Sequence, residues 1–133
     1  MASVKLEIPI AASAAHVWDA VRDVGAIHTR FVPGFVTDTK LEGNLRTVTF
    51  ETGFVAQELI VDLDEEAMRL AYSVQGSGLM SHHHASFEVV PEGADTCRLV
   101  WQADFLPEEA EEPVRGMMET GAAVMKRTLG GRG

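Results

Sequence analysis

From Phe35 to Phe105 this chain is one strand-like pattern after another, and a single amphipathic helix follows. That order constrains the fold more than any other feature. Glu42-Gly43-Asn44, Gly53, Asp64-Glu65-Glu66, Gly76-Ser77-Gly78 and Pro91-Glu92-Gly93-Ala94-Asp95 punctuate the run as turns. Connections this short join antiparallel neighbours, because parallel strands need long crossovers. The run therefore predicts a meander. Ahead of it, Val4, Leu6, Ile8 and Ile10 alternate with Lys5 and Glu7 and predict one more half-buried strand. Pro9 suits the end or edge of such a strand.

Helical signals lie on either side of the meander. Ser13 is an N-cap candidate, and Ala14, Val17, Trp18 and Val21 follow at helical spacing, so a helix is expected over Ala14–Asp23. Gly25 breaks it, and a second short helix over Ala26–Phe31 ends before Pro33-Gly34. After Pro107, the acidic residues Glu108, Glu109, Glu111 and Glu112 suit a helix N-terminus, and Pro113 fits a first turn. Val114, Met117, Met118, Gly121, Val124, Met125 and Leu129 share one stripe. Lys126 and Arg127 suit the C-terminal dipole, and Gly130-Gly131 ends a helix spanning about Glu108 to Leu129. One sheet and one long helix bury a common core only if the sheet wraps the helix. The expected fold is α+β: a curved antiparallel sheet of about seven strands around the C-terminal helix. Such a wrap leaves a hollow between the layers, which points to small-molecule binding.

With 133 residues and no repeat or long linker, residues 1–133 are expected to form one ligand-binding domain. The net charge of −9 and pI near 4.9 repel phosphate backbones and anionic lipid surfaces, so neither nucleic acid nor membrane is an expected partner. No stretch reaches the ~18 apolar residues of a membrane span. The first residues carry no basic and apolar leader pattern, so the expected location is cytoplasmic. Cys97 is the single cysteine, which excludes an intrachain disulfide. A homodimer is compatible with the sequence.

The chain resembles the START-related superfamily that includes polyketide cyclase-like proteins and pollen-allergen-like ligand carriers. The resemblance rests on the element order and on local segments: Ala12-Ala-Ser-Ala-Ala-His-Val-Trp18, Val55-Ala-Gln-Glu-Leu-Ile-Val-Asp-Leu-Asp64 running into Leu70-Ala-Tyr-Ser-Val74, and Cys97-Arg-Leu-Val-Trp-Gln-Ala-Asp-Phe105 before Pro107. It implies a helix-grip fold with an apolar or aromatic small molecule held between sheet and helix. Its members include cyclases, carriers of lipids or hormones, and proteins without known chemistry, so it names no reaction.

His82-His83-His84 lies inside a strand pattern. Alternation puts His83 with Ala85, Phe87 and Val89 on the apolar face, where it would line the cavity as a structural histidine or act as acid–base. His82 and His84 share the other face, but no third ligand stands at matching spacing, so no metal is expected, nor any other cofactor. Tyr72 is in register with Leu70 and Val74, and Trp101 with Leu99, Ala103 and Phe105. Each joins an apolar body to one polar tip, which suits a ligand wall as well as a core. Phe50 and Phe87 are further wall candidates. Gln57 is expected on the inner face with Leu59, Val61 and Leu63, leaving Glu58 and Asp62 solvated. Arg46, on the face of Val48 and Phe50, reads as a surface arginine near a turn unless that face is inward. Met117, Met118 and Met125 offer soft surface on the helix, and Gly121 permits a close approach there. Phe31 and Phe35 flank the expected pocket entrance.

Three functional readings follow. The first is a carrier or sensor for a small apolar or aromatic molecule. The alternative is a cyclase, aromatase or dehydratase with His83 as acid–base and Tyr72 or Gln57 orienting a carbonyl. The third is a helper that binds another protein. The sequence has no phosphate loop, no zinc-type cysteine pair and no nucleophile elbow.

Overall fold

The computed structural model describes residues 2–76 and 80–130. Seven strands form one antiparallel sheet: β1 (Ala2–Ile10), β2 (Val36–Glu42), β3 (Leu45–Phe50), β4 (Val55–Asp64), β5 (Arg69–Gln75), β6 (His82–Pro91) and β7 (Cys97–Leu106). The strand order is β1-β7-β6-β5-β4-β3-β2. β2 to β7 thus form the expected meander, and β1 closes the far edge by pairing with β7 from Ala2↔Phe105 to Ile10↔Cys97. Part of the expected break at Gly76-Ser77-Gly78 lies outside the described residues.

Helices α1 (Ala14–Val21) and α2 (Ile27–Arg30) connect β1 to β2. Each is about two residues shorter than its apolar pattern, since that pattern runs on into the flanking turns. The Ser13 hydroxyl caps α1 by accepting the His16 N–H at 3.2 Å. Ser13→Ala is expected to cost about 1 kcal/mol, read as a lower urea midpoint with unchanged m-value. Trp18 Nε1–H donates to Glu65 Oε1 at 2.7 Å, and Arg22 grips the same carboxylate, which ties α1 to the β4–β5 turn. Arg22 first, then Trp18, holds the Glu65 carboxyl below the usual range.

The chain leaves β7 at a cis Leu106–Pro107 bond, makes one 3₁₀ turn (Glu108–Ala110) and enters α3 (Glu111–Leu129). Acidic Glu111 and Glu112 lead α3, and Lys126 and Arg127 occupy its last turn, both favourable to the helix dipole. Its buried stripe of Val114, Met118, Gly121, Val124, Met125 and Leu129 packs into the hollow of the sheet. The core between the layers contains Val4, Leu70, Val89, Leu99 and Phe105, each almost wholly buried. This is the helix-grip arrangement.

Gly121 sits where α3 passes close over the aromatic side chains of Phe35 and Trp101. A Cβ there would stand 3.2 Å from Phe35 Cε2 and 3.3 Å from Trp101 Cζ3, tighter than ordinary contact. The absent side chain lets α3 lie directly over Trp101. The glycine costs the helix about 1 kcal/mol relative to alanine.

Candidate ligand cavity

Sheet curvature and the α3 stripe enclose a cavity of about 100 Å³, several times the ~10–15 Å³ one buried water needs. β5, β6 and β7 supply its floor. Alternation turns Tyr72, His83, Phe87 and Trp101 inward, and all four line it. Met117, Met118 and Met125 of α3 form the roof, and Phe50 of β3 forms part of one wall. Gly121 does not line the space; it seats the roof against Trp101.

A second, outer hollow of about 460 Å³ lies between α3 and the β3–β4 hairpin, bounded by Glu51, Thr52, Gly116 and Thr120. Phe35, Phe50, Phe54 and Met117 line both spaces and form the partition between them. Phe50 meets Phe35 edge-on with ring centres 5.3 Å apart and stacks on Phe54 at 5.8 Å. Phe35 therefore lies on the boundary between the two spaces. Phe31 lies deeper, buried and edge-on to Phe87 at 5.1 Å. Small-molecule pockets commonly run ~300–1,000 Å³. The inner space is smaller than that range, and the outer hollow adjoins it across the four shared residues.

On β4 the structure corrects the sequence reading. Gln57 is exposed on the outer face, and Glu58 is the residue that points inward. Leu59 and Val61, the supposed inner set, are 38% and 54% exposed, whereas Glu58 is only 7% exposed. The apolar alternation of β4 decorates the convex face. The concave face there is Ala56, Glu58 and the half-buried Ile60. Leu63, also assigned inward with that set, is 38% exposed. Arg46 is likewise no surface residue: at 3% exposure it faces Glu58 directly across the β3–β4 ladder.

Arg46 and Glu58 form a buried ion pair at the cavity wall. Arg46 Nη2 and Nε lie 2.6 and 2.9 Å from Glu58 Oε1, and Nη1 donates to the Val24 carbonyl at 3.3 Å. The guanidinium carbon lies 5.5 Å from the centre of the Tyr72 ring, a cation–π contact. Hairpin arithmetic held the signal for this pair. Folding the chain about Thr52 sets Arg46 opposite Glu58 and Val48 opposite Ala56. Opposite charges directly across an antiparallel ladder share a face.

Trp101 Nε1–H donates to the Tyr72 hydroxyl oxygen at 3.0 Å. Burial, reinforced by the Glu58 charge, pushes the Tyr72 pKa upward, so the phenol stays protonated. Its own proton meets no acceptor among the described residues. The backbone N–H of Val74 donates to His83 Nδ1 at 3.0 Å, which puts the proton of the neutral ring on Nε2. Burial first, then the neighbouring His84 and His82, pushes the His83 pKa down to about 4. At neutral pH His83 is therefore an uncharged donor toward the cavity. Burial also raises the Cys97 thiol pKa, which leaves it a poor nucleophile. No group of three metal-ligating side chains occurs among the described residues.

A curved sheet clasping one helix over an apolar cavity with a few inward polar groups defines a helix-grip ligand-cavity protein. The chain belongs to the family described as polyketide cyclase / dehydrase and lipid transport, whose model matches residues 1–131. Its solved relatives include a Thermobifida fusca protein that is 31% identical, with 97% of this chain and 91% of that chain covered and a TM-score of 0.80. A START superfamily protein from Mycobacterium smegmatis is 16% identical, with 98% and 95% covered and a TM-score of 0.75. Norcoclaurine synthase of Thalictrum flavum, solved as a point mutant with a transition-state analogue, is 20% identical, with 96% and 93% covered and a TM-score of 0.72. The last two likenesses show the fold alone. No curated protein matches the sequence. No helix among the described residues is long and apolar enough to cross a membrane.

Proposed function

We propose that the protein binds a small apolar or aromatic molecule between sheet and C-terminal helix, as a carrier or sensor in the cytoplasm. The observation that carries this reading is the cavity itself: aromatic floor, methionine roof, and a phenylalanine partition opening to an outer hollow. Methionine and phenylalanine side chains adapt to differently shaped apolar guests. The polar groups are too few to solvate a polar ligand but enough to orient one end of an apolar one.

Catalysis of the cyclase or dehydrase kind is the second reading, favoured by the family description and by the Glu58 carboxylate, which lines the cavity beside Arg46, Tyr72 and His83. In it, His83 would polarise a carbonyl through Nε2–H rather than shuttle protons, because Nδ1 is engaged and the ring is neutral. Gln57, on the outer face, has no part in either reading.

The test is thermal unfolding with neutral aromatic and lipid-like compounds. A ligand at 100 times its Kd should add about 2.7 kcal/mol of stability, a rise of several degrees in Tm. Widening the side chain at Ala103, on the cavity floor, to leucine should abolish that rise. A chemically broad set of compounds that leaves Tm unchanged would remove the binding reading.

A further inference from the structure

The polar atoms of the cavity fall into two sets of different charge logic. In the first, Arg46 and Glu58 neutralise each other. Two guanidinium nitrogens lie 2.6 and 2.9 Å from one carboxylate oxygen, and a third is taken by a backbone carbonyl. The second set is uncharged and donates. The Tyr72 hydroxyl already accepts from Trp101, so its proton is what it offers a ligand. The His83 ring already accepts from Val74 at Nδ1, so Nε2–H is what it offers. Neither proton meets an acceptor among the described residues, and both side chains are buried at the cavity wall.

With its acceptor side already engaged, each group has a proton to give, and a neutral oxygen acceptor on the ligand can take one or both. A carboxylate end is a poor substitute. Its best partner, the Arg46 guanidinium, is occupied, and the Glu58 charge stands beside it in a poorly solvated space. An ammonium end would meet the second oxygen of Glu58, but Arg46 already offsets that charge and stands beside it with two neutral donors. Resting on the binding reading above, we infer that the cavity selects an uncharged ligand bearing a carbonyl-type oxygen. Glu58 is the residue that enforces this choice, by holding Arg46 away from acidic ligands.

Three probes of one skeleton test this by calorimetry at pH 7.5: 2-acetylnaphthalene, 2-naphthoate and 2-naphthylmethylammonium. Wild type should bind the ketone at least about tenfold more tightly than either ion. Glu58→Gln frees Arg46, so its affinity for naphthoate should rise about tenfold or more while ketone affinity stays within about threefold. The Arg46→Gln/Glu58→Gln double variant, with both charges gone, should show no naphthoate gain. Naphthoate binding to wild type as tightly as the ketone overturns the inference and leaves the cavity reading standing. So does a folded Glu58→Gln variant without the gain, or a double variant that shows the gain in full. Binding of none of the three probes overturns the inference, while the binding reading stands or falls on the broader thermal screen above. If Glu58→Gln fails to fold, the wild-type comparison alone decides.

Discussion

Arg46→Met is expected to destabilise the protein by about 3–5 kcal/mol, because it strands the Glu58 carboxylate in the cavity wall without its partner. For a domain of this size that corresponds to a fall in Tm of roughly 10 °C or more. Changing both partners, Arg46→Met with Glu58→Leu, should restore most of the loss, since an apolar pair of similar volume is often as stable as a buried ion pair. The non-additivity is the signature: the two single losses should sum to several kcal/mol more than the double loss. Thermal and urea unfolding of the four proteins measures it. Single variants as stable as wild type would mean that the pair is hydrated and worth little. A pair that apolar residues could replace without loss of stability is better explained by what it does to ligands than by what it does for folding.

His83 gives the second large effect, and it depends on pH. The ring is buried neutral with a pKa near 4, against about 6.5 in the unfolded chain. Between these values the unfolded state binds the proton and the folded state does not, so acid favours unfolding. His83 should thus leave stability untouched above pH 6.5 and erode it by about 3 kcal/mol as the pH falls to about 4. Carboxylates titrate over part of the same range, so the informative quantity is a difference between proteins. His83→Asn keeps an acceptor for the Val74 N–H but cannot take a proton. Its stability curve from pH 7 to pH 4 should be flatter than that of wild type by about that amount. Parallel curves would mean that the imidazole is readily protonated in place, and the acid–base role would then regain its physical footing.

The sequence determined the architecture because its signals were redundant. Turn residues at Glu42-Gly43-Asn44 and Pro91–Asp95, the N-cap at Ser13 and the acidic lead of the last helix agree with one another and with the observed elements. Strand faces were legible where hydrophobicity and burial coincide. Leu70, Tyr72 and Val74 on β5, and His83, Ala85 and Phe87 on β6, turn inward as their alternation indicates. β4 misled because its two faces reverse that rule. Val55, Leu59 and Val61 lie on the convex side, while the concave side carries the charge of Glu58. Hydrophobic alternation reports which face is apolar, and a cavity wall with a buried ion pair is the less apolar face. Arg46 was hidden differently: it shares the inward face of Val48 and Phe50, but a buried arginine depends on a partner twelve residues away and not on its own neighbours. A bulge between Ile60 and Asp62 then shifts the pairing with β5, which no periodicity over the whole strand could reproduce. Phe54 was missed for a different reason: it follows the Gly53 turn, outside any strand pattern, yet it completes the partition between the two hollows.

The central claim is that a ligand enters the space between sheet and helix, and the methionines report on it directly. Met80, Met117, Met118 and Met125 line the cavity, whereas Met68, in the β4–β5 turn, does not. With ε-¹³C-methyl methionine in the protein, titration with 2-acetylnaphthalene should shift the four cavity methyls along one saturable curve and leave Met68 in place. Unmoved cavity methyls, or equal shifts at these four and Met68 alike, would contradict the account.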